Sequence, residues 1–389
     1  MHALSAAIRR KPDWHIKRLN PDIVARWKEA ALALHFTPAQ FQVIFDELEC
    51  YDKLRSGCIE VADVDGVWKA PCLIPGALAA QFSRLVDRLS NIPDGENDWH
   101  PGSDEKVLDL IHPGLYLLVS GFTRTVDLNQ PGPSNGVPIH ADLTKFFESD
   151  VKYGVKYDFF SLKYQWIPTP VEVDANNKVR FLSYINNLHP KHHSALYDVL
   201  SDILATTLPL FERTLGFLKT SRRPKINLRT FKVYHDDNNE SPRQGEWEDN
   251  EAFRERQETY WENRPRKSIP VEDYKSISET PPITLGGRKL QVLIKIQEIH
   301  LTPDKPSYDG EVWHVDGMTN EAIVASAIYC YHCTNVSDCT LSFQEIVCSP
   351  NFAENERGVE EVYGFVNGGQ LVQELGSVTI EVHLHISSF

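Results

Sequence analysis

The spacing of apolar residues changes along this chain, and that change limits the folds open to it. Through about residue 105 the apolar positions recur three and four apart, whereas from Leu290 onward they alternate. Spacing of the first kind buries one stripe of a helix, and alternation buries one face of a strand. A chain that keeps the two patterns in separate blocks belongs to the α+β class.

The helical block carries its own start signals. Asn20-Pro21 and Thr37-Pro38 each join a capping side chain to a proline at the first helical position, where the missing N–H costs nothing. A third helix is expected near Pro75, with Leu78, Phe82, Leu85, Val86 and Leu89 turned to the core. Residues 106–126 predict strands around a turn at His112-Pro113-Gly114, and the segment 129–138 reads as a loop. Tyr164 to Tyr184 predicts a hairpin turning at Asp174–Asn177, and His193 to Leu218 a long helix kinked at Pro209.

From Leu290 to Leu301 a single strand is expected. Leu290, Val292, Ile294 and Ile296 line one side, with Gln291, Lys295 and Gln297 on the other, most simply facing solvent. Further strands are expected over 322–331, 340–347 and 376–385. Four regions result: a helical part over 1–105, an α+β part over 106–235 with the hairpin and long helix, a mobile mixed-charge insertion over 236–282, and a partial jelly roll over 283–389. Trp247, Phe253, Tyr260 and Trp261 offer the insertion a way to dock as a short helix.

Charge and cysteine usage narrow the function. Forty basic against 54 acidic side chains give a net charge of −14, which argues against non-specific nucleic-acid binding. No apolar run approaches the roughly 18 residues of a membrane span, and the N-terminal MHALSAAIRRKPDWH lacks a secretory apolar core. Seven scattered cysteines suit a reducing compartment, so the expected location is cytoplasmic, with the nucleus as the alternative. The expected partner is a small-molecule or peptide substrate, with neither nucleic acid nor membrane involved.

The segment most suggestive of chemistry is Trp313-His314-Val315-Asp316-Gly317. In extended backbone, positions i and i+2 share a face, so His314 and Asp316 can reach one point. An imidazole nitrogen and a carboxylate oxygen suit a divalent transition metal, and one more histidine completes a facial triad with open positions on Fe(II). A second copy of the pattern, His140-Ala141-Asp142, reads as structural, with Asp142 capping a helix. Cys330 and Cys333 lie in an alternating strand that turns them to opposite sides, which disfavours zinc. His112, His189, His192 and His193 read as capping or packing residues.

Several longer motifs then fall into a known pattern. Lys11-Pro-Asp-Trp14, Gly57–Trp68, Trp99-His-Pro-Gly-Ser103 and Val107-Leu-Asp-Leu-Ile-His-Pro113 open the set. Tyr184-Ile-Asn-Asn-Leu-His-Pro190, Leu290–Lys295 and Trp313–Met318 complete it. In these the chain resembles, over nearly its whole length, the mostly fungal family labelled domain of unknown function 4246. The resemblance implies a helical N-terminal part packed with a double-stranded β-helix (jelly-roll) core like that of Fe(II)/2-oxoglutarate oxygenases. It makes His314 and Asp316 the first two iron ligands and 2-oxoglutarate the cosubstrate.

The family pattern continues past Gln373–Val378 with a glycine-containing turn, an F-P-N stretch, a histidine followed by arginine, and a last strand. Here Val378 is followed by Thr-Ile-Glu-Val-His-Leu-His-Ile-Ser-Ser-Phe389. The expectation is a jelly roll incomplete at the C-terminus, with His383 or His385 as stand-in third ligand and Lys295 as surrogate anchor for the cosubstrate carboxylate. Two outcomes are expected in competition: an oxygenase impaired by loss of the distal His/Arg segment, or a catalytically inactive binding protein on the same scaffold.

Overall fold

The structure is a computed structural model, and it describes residues 2–64, 66–125, 139–140, 143, 160–219, 242–263, 283–337, 339–346, 372–379 and 384–387. The fold is mixed, with α-helices and small antiparallel sheets, and no closed barrel occurs among the described residues. The chain divides into two compact units, one from residues 1–69, 216–281 and 335–381, the other from 70–215, 282–334 and 382–389.

In the first unit, the predicted helix starts are met by observed caps. Pro21–Ala33 begins with Asn20 accepting from the amides of Asp22 and Ile23. Pro38–Leu54 begins with a reciprocal capping box, in which Thr37 Oγ1 accepts from Gln40 N and Gln40 Oε1 from Thr37 N. Ile8, Trp14, Phe41, Ile44, Leu48 and Tyr51 are buried among these helices. The hairpin Glu60–Val61 with Trp68–Ala70 leads a small apolar cluster of Ala62, Val64, Val67 and Val378. Val378 arrives on Val372–Thr379, which pairs antiparallel with Thr340–Ile346. Within the mixed-charge stretch, Asn250–Asn263 is helical, while Trp247 is 96% exposed.

The second unit has two adjoining apolar clusters. One gathers Phe82 and Val86 from Gly76–Ser90, Leu108, Leu110 and Ile111 from Val107–Ile111, and Leu196, Val199, Leu200 and Ile203 from Ser194–Lys219. That long helix continues through Pro209. The other packs Val171, Val173 and Val179 of the predicted hairpin against Leu204 and Leu208. Its turn forms at Asp174–Asn177, where Asp174 Oδ1 accepts from the amides of Asn176 and Lys178 at 2.8 Å each and Asn177 takes φ 63°.

The expected strand from Leu290 to Leu301 is two strands. Lys289–Val292 pairs with Thr169–Val173, and Ile296–Ile299 pairs with Val107–Ile111. The apolar stripe divides with it, Leu290 and Val292 joining one cluster and Ile294 and Ile296 the other. Alternation alone does not distinguish one strand from two that serve different sheets, because the period survives the three-residue break. The expected strand over 376–385 is likewise observed as the end of Val372–Thr379 and the separate Leu384–Ser387, which pairs with Ser326–Tyr329.

Candidate metal centre

The site of interest lies within the second unit and begins with a carboxylate in an apolar strand. Val107–Ile111 is buried at all five positions, and Asp109, its central residue, is 6% exposed at the side chain. A carboxylate in such surroundings needs partners for both oxygens. Asp109 Oδ2 lies 2.8 Å from His100 Nδ1, and Asp109 Oδ1 accepts from the Gln297 amide. A carboxylate only accepts, so His100 carries its proton on Nδ1.

Strand pairing on both sides produces this arrangement. The bridge Trp99–Leu108 runs residues 98–100 antiparallel to the strand, with His100 N donating to Val107 O and Asp109 N to Asp98 O. His100 therefore stands opposite Val107, diagonal to Asp109 and on its face of the sheet. On the other edge Gln297 is the direct cross-strand partner of Asp109.

His112 follows the strand by one residue. Continued extended backbone would turn it away from Asp109, three positions earlier, but the chain bends there, with Leu115 N donating to His112 O. The bend is held by Asn186, whose amide donates to Pro113 O and Tyr116 O. Gly114 N donates to His112 Nδ1 at 3.0 Å, and a Cβ at position 114 would lie 2.9 Å from that ring. The expected capping role of His112 is thus present. Its ring lies 5.5 Å from that of His100, and one donor atom each from His100, Asp109 and His112 fall within 4.8 Å of one another. Burial, more than any charge, holds His112 below the ordinary histidine range; Asp109 and Asp316 pull it upward, while Lys295 and His100 push it down.

Asp316 and Lys295 therefore share the electrostatic neighbourhood of His112. The H-x-D motif lies in a loop and not in extended strand. His314 Nδ1 donates to Val312 O at 2.8 Å, and its Nε2 lies 3.3 Å from Glu311 Oε2 and 3.8 Å from Asp316 Oδ1. Lys295 Nζ is 3.5 Å from that same Asp316 oxygen. Gly317, at φ 79°, makes the turn that follows, and Glu321 ties the loop down by accepting from Trp166 N. Trp166 in turn meets His112 edge-on, with ring centroids 5.9 Å apart.

The sequence-derived candidates divide accordingly. His314, Asp316 and Lys295 are brought together; of the face expected toward solvent, Gln291 is exposed, whereas Gln297 serves Asp109. His385 stands opposite Ile328 in the pairing of Leu384–Ser387 with Ser326–Tyr329, while His383 and Asp142 lie outside the described residues. Asp109 and His100 carried no functional expectation. The available signal was the charge at the centre of Val-Leu-Asp-Leu-Ile, since a buried strand does not hold a carboxylate without partners.

These features describe a mixed α/β protein with histidine and carboxylate donors gathered beside one buried strand. The chain belongs to the family described as protein of unknown function (DUF4246), whose model matches residues 38–386. No curated protein and no solved structure matches it.

Proposed function

We propose that the protein is an Fe(II)- and 2-oxoglutarate-dependent oxygenase that hydroxylates or otherwise oxidises a C–H bond of a small molecule or peptide. The observation that carries the metal half of this reading is the convergence at His314. Its Nδ1 proton is committed to Val312 O, and its Nε2 lies within 3.8 Å of the Glu311 and Asp316 carboxylates. Two carboxylates and an imidazole nitrogen gathered this closely can share a cation. An imidazole nitrogen beside a carboxylate oxygen is also the donor chemistry that Fe(II) accepts, so the residues present fit two of its three protein ligands.

In this reading His314 and Asp316 hold the ion, with His383 or His385 as the third donor on a jelly-roll strand. Bound Fe(II) would supply open positions for cosubstrate and dioxygen. Lys295, now paired with Asp316, would receive the 2-oxoglutarate carboxylate. The cosubstrate and the jelly roll rest on the resemblance in the motifs described above.

The test is succinate release from 2-oxoglutarate under Fe(II), compared between the native chain and His314→Ala. Iron-dependent release that the substitution abolishes supports the oxygenase. Equal, negligible release from both supports the second reading, a catalytically inactive binding protein. That reading is favoured by Lys295, whose ammonium already neutralises Asp316 without a metal.

A further inference from the structure

We propose that His100, Asp109 and His112 form a binding site for a divalent first-row transition-metal ion, separate from the H-x-D motif. The three side chains each offer one donor atom within 4.8 Å of the others. Ligands held about 2.0–2.2 Å from such an ion stand roughly 3–4 Å apart, so small side-chain shifts close the set. Two imidazole nitrogens and one carboxylate oxygen match ions of borderline softness such as Zn(II), Co(II) and Fe(II), and not calcium or magnesium.

The surroundings favour an ion beyond the donor count. His100 Nδ1 and Asp109 Oδ2, 2.8 Å apart, need separate only slightly to reach the spacing of adjacent ligands, and the ion would replace the proton now between them. Gln297 holds the other Asp109 oxygen, as an outer-shell partner does for a ligating carboxylate. His112 Nδ1 accepts from Gly114 N and so carries a lone pair for which an ion would compete with one backbone amide. The carboxylate sits on a strand paired along both edges, which holds it firmly. A histidine–carboxylate pair would explain His100 and Asp109, and the turn at Gly114 would explain His112, but neither accounts for three donor atoms within 4.8 Å of one another.

The experiment titrates Co(II) into the full chain carrying His314→Ala and Asp316→Asn together, reading its visible absorption, with Zn(II) as competitor. One equivalent should still bind. Adding His112→Gln or His100→Gln in that background should weaken binding by more than about 100-fold, since loss of an outer-shell partner alone costs 10–100-fold. No binding by the double variant, or unchanged binding after His112→Gln, overturns the proposal. A measurement on the unaltered chain guards against misfolded variants. Zn(II) should shield His100 and His112 from carbethoxylation, mapped by peptide mass, while the exposed His189 goes on reacting. Equal modification of all three with and without Zn(II) overturns the site. The oxygenase reading fails or stands separately, through succinate release and His314→Ala.

Discussion

Asp109 and Gln297 face each other across an antiparallel strand pair, and the Gln297 amide donates to the Asp109 oxygen that His100 does not take. The relationship joins residues 188 positions apart and leaves a buried carboxylate fully paired. Its energetic meaning is asymmetric, because an interior acceptor left alone costs more than the bond itself contributes.

Gln297→Leu keeps the volume and removes the donor. It should destabilise the chain by about 1–3 kcal/mol, the cost of an unsatisfied buried polar group. Urea denaturation followed by circular dichroism measures this, and a loss below about 0.3 kcal/mol would show that Asp109 Oδ1 finds another partner.

Gly317 follows Asp316 at φ 79°, and a Cβ there would lie 2.9 Å from Ile323 Cδ1. Gly317→Ala should therefore cost about 1–2 kcal/mol in backbone strain and displace the H-x-D loop. Iron affinity of the variant should fall with stability. An alanine variant that melts and binds as the parent does would remove the strain argument.

Stability should decline as pH drops below the ordinary histidine value. His193 is held below that value by burial first, then by His192 and His189, and it immediately precedes the 26-residue helix Ser194–Lys219. A helix N-terminus opposes added positive charge by about 0.3–1 kcal/mol. Between the lowered folded value and 6.5 the unfolded chain binds the proton more readily, so this contribution is complete above 6.5 and is lost as pH falls below it. His193→Asn places a favoured N-cap side chain there without the titration. The difference between its denaturation midpoints at pH 7.5 and 5.5 should be smaller than that of the parent, and an equal difference would rule out His193 as a source.

The Thr37 capping box makes the simplest prediction. Thr37→Ala removes the oxygen that accepts from Gln40 N and should cost about 1 kcal/mol, leaving the second unit's metal affinity untouched. Thermal melts and Co(II) titration of the same variant check both halves.

Local chemistry is what the sequence settled by itself. The caps at Asn20 and Thr37, the hairpin turn at Asp174–Asn177 and the apolar stripe of Gly76–Ser90 depend on neighbours within a few residues, and their side chains announce them. The closeness of His314 and Asp316 was legible for the same reason. The break at residues 293–295 was not, because the alternation runs through it unchanged and only the partner strands reveal two sheets. Nor was the grouping of His100, Asp109 and His112, which needs the Trp99–Leu108 bridge, the bend after Ile111 and a glutamine from a distant strand. Residue types and short-range hydrogen bonds are properties of the chain, whereas strand register and the choice of partner come from the packing of the whole. The packing therefore decided that an aspartate in an apolar strand lies between histidines.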